Sequence, residues 1–292
     1  MGLQVYIDGE CYPKSEAKIS VFDHGLLYGD GVFEGIRSYN CLIFKLKDHL
    51  DRLYESAHTI MLKIPLTKEE MTRAVVRTLQ VNRLSNAYIR LVVTRGVGDL
   101  GLDPNKCKRA TVIIITDKII LYPDELYRNG LEIITVPTVR NLPEALNPQL
   151  KSLNYLNNIM AKIEANNAGY QEAIMLNFQG YVAECTGDNI FAARQGVLLT
   201  PPTYLGALKG ITRSAIIHLA HVAKLPFQER ILTRHDLFNA EEVFLTGTAA
   251  EVIPVVKIDG RTIAGGKPGK LTLRLMKAFH ELTKKDGVRY KL

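Results

Sequence analysis

Apolar residues recur at three- and four-residue spacing over residues 48–60, where Leu50, Leu53, Ala57 and Ile60 fall on one face of a predicted helix. A second helix is predicted from Thr67, which with Glu70 three residues on spells a capping box, and it carries Met71, Val75, Leu79 and Val81. Around these helices the pattern is that of strands. Val5-Tyr6-Ile7 precedes the turn Asp8-Gly9, Leu42-Ile43-Phe44 is a short apolar run, and residues 87–93 and 110–115 are rich in β-branched side chains. These elements predict a small α+β domain over residues 1–122.

Residues 123–136 are read as a connector and the first strand, at 131–136, of a larger domain that occupies 137–292. The stretch 137–148 holds three prolines and is too irregular for helix or strand. A helical pattern over 152–167 is followed by a hairpin, 172–176 and 181–184, around Asn177-Phe178-Gln179-Gly180. Two more strands are predicted at 189–193 and 197–200, then a helix at 212–223, a strand at 242–245 and a terminal helix over 271–284. The fold class expected is α/β, a small α+β domain joined to a larger α/β one.

With 292 residues, 47% of them hydrophobic, the chain can bury a substantial core. The formal charge of +7 comes from scattered Lys and Arg without a basic block or interleaved aromatics, which argues against a nucleic-acid partner. A positive field instead concentrates small anions such as amino acids and 2-oxo acids. Cys11, Cys41, Cys107 and Cys185 form no C-x-x-C pair, so neither a disulfide framework nor a zinc site is indicated, and a reducing cytoplasm is expected. No leader pattern opens the chain and no run is long enough to span a bilayer, so no membrane association is expected. His218 and His221 lack a third metal ligand, and residues 267–285 read as an amphipathic helix with a solvated basic face.

Four segments carry candidate chemistry. Lys151 follows the proline-containing stretch at the predicted start of a helix, where an amine can be aimed into a cleft, although a lysine there is ordinarily a surface residue. Tyr155 would lie one helical turn away on the same face. Glu184 ends a predicted strand before the small-residue turn Cys185-Thr186-Gly187-Asp188, where Thr186, Gly187 and Asp188 offer one wall of a ring site, Gly187 because it has no Cβ. Gly210-Ile211-Thr212 opens a helix whose free N–H groups suit a phosphate, and Thr246-Gly247-Thr248-Ala249-Ala250-Glu251 is a second such turn. Arg52 supplies a planar fork for an anion, and Tyr88 and Arg90 share one face of a strand. The glycine-rich run from Asp23 to Arg37 lacks the Lys-Ser/Thr of a nucleotide loop, which excludes ATP binding there and leaves a source of aromatic walls.

In their order and spacing, the Tyr28 to Arg37 segment, Arg52, Tyr88-Ile89-Arg90, Lys151, Tyr155, Glu184, Ile211-Thr212 and Thr248-Ala249 resemble the class IV aminotransferases. Among these they are most similar to the branched-chain amino acid aminotransferases. The resemblance implies the fold-type-IV, D-amino acid aminotransferase-like architecture and pyridoxal 5'-phosphate as cofactor. It implies reversible transfer of the amino group of L-leucine, L-isoleucine or L-valine to 2-oxoglutarate through a pyridoxamine form. Lys151 would be the catalytic residue and carry the cofactor. Arg52, Tyr155, Glu184, Thr186, Gly187, Leu208, Ile211, Thr212 and Thr248 would hold it, Glu184 at the pyridine nitrogen and Arg52, Ile211, Thr212 and Thr248 at the phosphate. Tyr28, Phe33, Gly35, Arg37, Tyr88, Arg90, Thr248 and Ala249 would receive substrate. Tyr28 would reach across a dimer interface, so a homodimer or an assembly of dimers is expected. The chain departs from the common pattern at Cys185-Thr186-Gly187-Asp188 and at Lys209, where a proline is frequent. D-amino acid and (R)-amine transaminases of the same fold, and aminodeoxychorismate-lyase-like enzymes, are the alternatives.

Overall fold

Alternation along Ala87–Thr94 organises the first of two sheets: Ala87, Ile89, Leu91 and Val93 are buried on one face, while Tyr88, Arg90 and Val92 are half-buried on the other. The computed structural model describes residues 2–118 and 122–292, which divide into two units. The first unit comprises Met1–Ile119, Leu150–Asn154 and Thr283–Leu292. The second comprises Ile120–Gln149 and Tyr155–Leu282. The expected division gave residues 150–154 and 283–292 to the larger domain.

In the first unit seven antiparallel strands run in the order Gly287–Arg289, Leu42–Phe44, Gly31–Tyr39, Ala87–Thr94, Thr111–Asp117, Gln4–Ile7 and Glu10–Pro13. Helices Leu46–Thr59 and Lys68–Val81 cover one face, burying Leu50, Leu53, Val75 and Leu79 against Val32, Ile36, Ile89 and Ile114. The second helix has the expected capping box: the Glu70 N–H donates to Thr67 Oγ1 at 3.2 Å, and the Thr67 N–H donates to the Glu70 carboxylate at 2.8 Å.

The helix expected from residue 152 begins only at Leu156 and runs to Asn167. Residues 151–153 are instead extended along Gly31–Tyr39: the Phe33 N–H donates to the Lys151 carbonyl at 3.1 Å, and the Leu153 N–H to the Gly31 carbonyl at 3.0 Å. Lys151 is therefore held by a strand, not by a helix, and Tyr155 is the residue before a helix rather than one turn along it.

The second unit is built on a nine-stranded mixed sheet in the order Phe227–Glu229, Val197–Thr200, Asn189–Arg194, Glu242–Gly247, Glu251–Ile258, Leu131–Thr135, Ala173–Leu176 and Val182–Cys185, with Arg261–Thr262 paired to Glu251–Ile258 off this path. Three of its pairings are parallel, and the rest are antiparallel. Phe191 and Phe244 stack at 5.0 Å between ring centres on one face, which helices Ile211–Val222 and Lys270–Leu282 cover. The predicted hairpin is present as Ala173–Leu176 against Val182–Cys185. Among the described residues, no helix is long and apolar enough to cross a membrane.

Candidate active site

Strand Gly31–Tyr39 sends Phe33, Gly35 and Arg37 to the face opposite its helices, facing Val92, Arg90 and Tyr88 across the ladder. The Phe33 ring lies 4.3 Å from Lys151 Nζ and 4.6 Å from the Arg90 guanidinium carbon, two cation–π contacts on one side chain. A Cβ on Gly35 would collide with the Tyr88 hydroxyl, so glycine at that position is what lets Tyr88 lie across the strand. Arg37 stacks on Tyr39 at 5.2 Å. Tyr28 ends the short helix His24–Tyr28, and its hydroxyl accepts the Gly101 N–H at 2.9 Å.

On the helix-covered face the same strand carries Glu34, fully buried at 0% exposure. Arg52 grips it with two parallel bonds of 2.7 Å, from Nε and Nη2, and His49 Nδ1 is 2.7 Å from Oε2. Burial opposes the charge on Glu34, but the Arg52 guanidinium and His49 outweigh it and hold the carboxyl at about 2. Burial pushes His49 below its ordinary value, and Glu34 only partly offsets this. A neutral imidazole beside an ionised carboxylate must donate from Nδ1. Ser56, one turn beyond Arg52, accepts the Lys151 backbone N–H at 3.2 Å. The face of this helix thus fixes both the plane of Arg52 and the strip that bears Lys151.

In the second unit Glu184 is buried on the last strand of the sheet and held from both ends. Arg140 Nε donates to Oε1 at 2.9 Å, and the Leu208 N–H donates to Oε2 at 2.9 Å, joined by Asn189 Nδ2 at 3.3 Å. Arg140 is fixed in turn by Asn157 and Asn158, and Asn158 also donates to the Thr186 carbonyl. Past Glu184, a Cβ on Gly187 would meet nothing within 4 Å, so the backbone there borders open space. Gly210 caps the helix Ile211–Val222 with no side chain over its first N–H groups, and its own Cβ would collide with Asn189 Oδ1. Thr248 and Ala249 occupy the turn between Glu242–Gly247 and Glu251–Ile258. Asp188, expected to wall a ring site, instead turns its carboxyl toward Tyr122 and Gly247.

Residues 31–258 match the family described as amino-transferase class IV. The chain belongs to the class IV aminotransferases. It is 53% identical to a putative branched-chain-amino-acid aminotransferase of Methanocaldococcus jannaschii over 98% of this chain and 99% of that one. The branched-chain amino acid aminotransferase of Escherichia coli superposes with a TM-score of 0.94 at 35% identity, covering 97% of this chain and 95% of the other. The branched-chain amino acid aminotransferase of Thermoproteus uzoniensis, solved with norvaline, gives 0.91 at 38% identity over 98% and 96%. A further solved branched-chain amino acid aminotransferase holds pyridoxamine 5'-phosphate and gives 0.93 at 37% identity over 98% and 95%.

The enzymes of this class use pyridoxal phosphate, and the residues here fit that group. A helix start free of a capping side chain suits its phosphate, a carboxylate pinned as an anion by Arg140 suits its ring nitrogen, and open space beside Gly187 leaves room for the ring. Sequence reasoning missed Glu34, His49, Arg140 and Asn189, the residues that hold the predicted ones. None of them left a local period: strand Gly31–Tyr39 is buried on both faces, so Glu34 sits in a glycine-rich run without alternation.

Proposed function

We propose that this aminotransferase exchanges the amino group between L-leucine, L-isoleucine or L-valine and 2-oxoglutarate. The observation that carries this reading is the Phe33, Arg90 and Tyr88 surface. An enzyme with both substrates must accept an aliphatic side chain and a carboxylate in turn. The Phe33 ring offers the first an apolar face, and Arg90 with Tyr88 offers the second a charged and hydroxylic partner.

In this reading Lys151 would carry the cofactor, and its amine, when free, would take and return the proton at the substrate Cα. Bound pyridoxal phosphate supplies the electron sink for the charge that develops at Cα. Glu184, kept anionic by Arg140, keeps the ring nitrogen protonated. Arg52, Ile211, Thr212 and Thr248 bind the phosphate, and Glu34 presets the Arg52 fork. Thr248 and Ala249 receive the substrate carboxylate through the turn they occupy. Tyr155, Thr186, Gly187 and Leu208 complete the cofactor's surroundings, while Tyr28, Gly35 and Arg37 border the substrate.

A homodimer or assembly of dimers is part of the proposal. Leu156, Ile159, Met160 and Ile163 form an exposed apolar stripe along one helix, as a self-association surface requires. The test is the visible spectrum of the holoenzyme. L-leucine should bleach the lysine-bound cofactor band and 2-oxoglutarate restore it, while D-alanine and an (R)-amine leave it unchanged. A response to D-alanine or the amine alone overturns the substrate assignment. Lys151→Ala should abolish turnover in cofactor-saturated enzyme, and retained turnover would remove Lys151 from its role.

A further inference from the structure

Behind the turn that follows Glu184 lies a second acidic site that the reaction does not use. Glu172 and Asp188 are 3% and 5% exposed, and the Tyr122 hydroxyl stands 3.4 Å from Glu172 Oε2 and 3.4 Å from Asp188 Oδ2. One hydroxyl hydrogen cannot serve both carboxyls at once. Glu172 is otherwise provided for, since its Oε1 accepts the backbone N–H groups of Ala173 at 2.7 Å and Thr186 at 2.9 Å. Among the described residues, Tyr122 is the sole side chain that donates to the Asp188 carboxyl. That carboxyl is also wedged against the end of strand Glu242–Gly247, where a Cβ on Gly247 would collide with Oδ1.

The groups facing this pair offer little positive charge. Cys185 is buried beside it, its thiol pushed well up by burial and by both acids. Glu184 adds further negative charge, although Arg140 neutralises it. Tyr127 packs on Tyr122 with ring centres 6.4 Å apart. Among the described residues, Lys162 is the cation that acts on Asp188, and its Nζ is already donated to the Gln171 carbonyl. Two buried carboxylates in such surroundings cannot both be ionised.

We propose that Asp188 and Glu172 share one proton, carried by Asp188, and that the pair positions the Thr186–Gly187 turn and Gly247. Burial and the neighbouring Glu172 charge raise Asp188 to about 8, in line with that geometry. Glu172 fixes the turn through the Thr186 N–H, and neutral Asp188 wedges against Gly247 without adding a second charge. Both are positioning residues. Their effect on cofactor binding rests on the proposed role of Thr186 and Gly187, whereas the stored proton does not.

The proton is tested by infrared spectroscopy of the holoenzyme at neutral pH. Wild type should show the carbonyl band of a protonated carboxyl, and Asp188→Asn should lack it. Absence of the band from wild type, or its persistence in Asp188→Asn, overturns the proposal. Positioning is tested by the pH dependence of cofactor affinity. Wild type should weaken as pH rises through about 8, the value at which Asp188 ionises, while Asp188→Asn stays flat and Glu172→Gln, which removes the neighbouring charge, moves the weakening to lower pH. Glu172→Ala, which cannot accept the Thr186 N–H, should bind the cofactor about tenfold more weakly, with Glu172→Gln rescuing most of that loss. Equal alkaline weakening in wild type and Asp188→Asn would overturn the positioning role. A holoenzyme with the band but no response to L-leucine would sink the assigned reaction and leave the stored proton standing.

Discussion

Glu34 and Asp188 are both buried carboxyls, each beside a glycine-rich segment, and they end in opposite states. Glu34 meets a guanidinium and an imidazole and is held at about 2, whereas Asp188 meets another carboxyl and a hydroxyl and is raised to about 8. Burial raises both; the cation beside Glu34 overturns it, whereas the carboxyl beside Asp188 adds to it. Each arrangement serves placement differently. A salt-bridged carboxylate fixes the orientation of the arginine that grips it, while a neutral acid allows two carboxyls to pack where two charges would repel.

The sharpest way to break this contrast is to remove the cation from Glu34. Arg52→Met leaves a buried carboxylate with only His49 beside it, and should destabilise the protein by about 3–5 kcal/mol. The double substitution with Glu34→Gln should recover much of that in urea unfolding. If Arg52→Met alone costs nothing, the pair does not hold the helix to the strand. A smaller effect is expected from Glu34→Gln alone, which keeps the shape but loosens the arginine fork. Cofactor affinity should fall about tenfold, as for loss of a hydrogen bond to a charged group. An unchanged dissociation constant would mean that Arg52 needs no presetting.

The two carboxyls also predict opposite slopes of stability with pH. Glu34 has its value depressed in the fold, so its contribution is complete above the ordinary 4.5 and is lost as pH falls toward about 2. Asp188 has its value raised, so its contribution is complete below the ordinary 3.8 and is lost as pH rises toward about 8. One proton gives each slope a ceiling of about 1.4 kcal/mol per pH unit. Urea midpoints measured across pH should therefore rise and then decline, and Glu34→Gln should flatten only the acid side. A variant that flattens the alkaline side instead would reverse the assignment.

The sequence reveals these two regions unequally, for a physical reason. The helix that bears Arg52 is legible because its apolar positions keep the 3.6-residue period, and the Thr67–Glu70 cap because both partners are local. Strand Gly31–Tyr39 reads only as a glycine-rich run, since it is buried on both faces and Gly35 is required by Tyr88 rather than by a turn. The helix predicted from residue 152 starts late because Lys151 and Leu153 commit their backbone groups to Phe33 and Gly31, a pairing more than a hundred residues distant that leaves no local period. Lys151, Arg52 and Glu184 stand out through a resemblance. Glu34, Arg140 and Glu172 do not, because a charge whose partner lies far along the chain looks the same in sequence as a solvated one.

The smallest effect, and the finest probe of the contrast, is Tyr122→Phe. The ring stays in its cluster with Leu131 and Ile174, and only a hydroxyl 3.4 Å from each carboxyl is lost. Bonds that long are weak, so the cost at neutral pH should be about 0.5–1 kcal/mol, read as a small drop in Tm. The informative part is the direction of the titration. The Tyr122 hydroxyl is one of the groups that lower Asp188 against burial and the Glu172 charge. Without it Asp188 should ionise at still higher pH, and the alkaline loss of stability should extend upward in the variant. A shift to lower pH would mean that the hydroxyl is not a donor to Asp188, and that another group holds the two acids together.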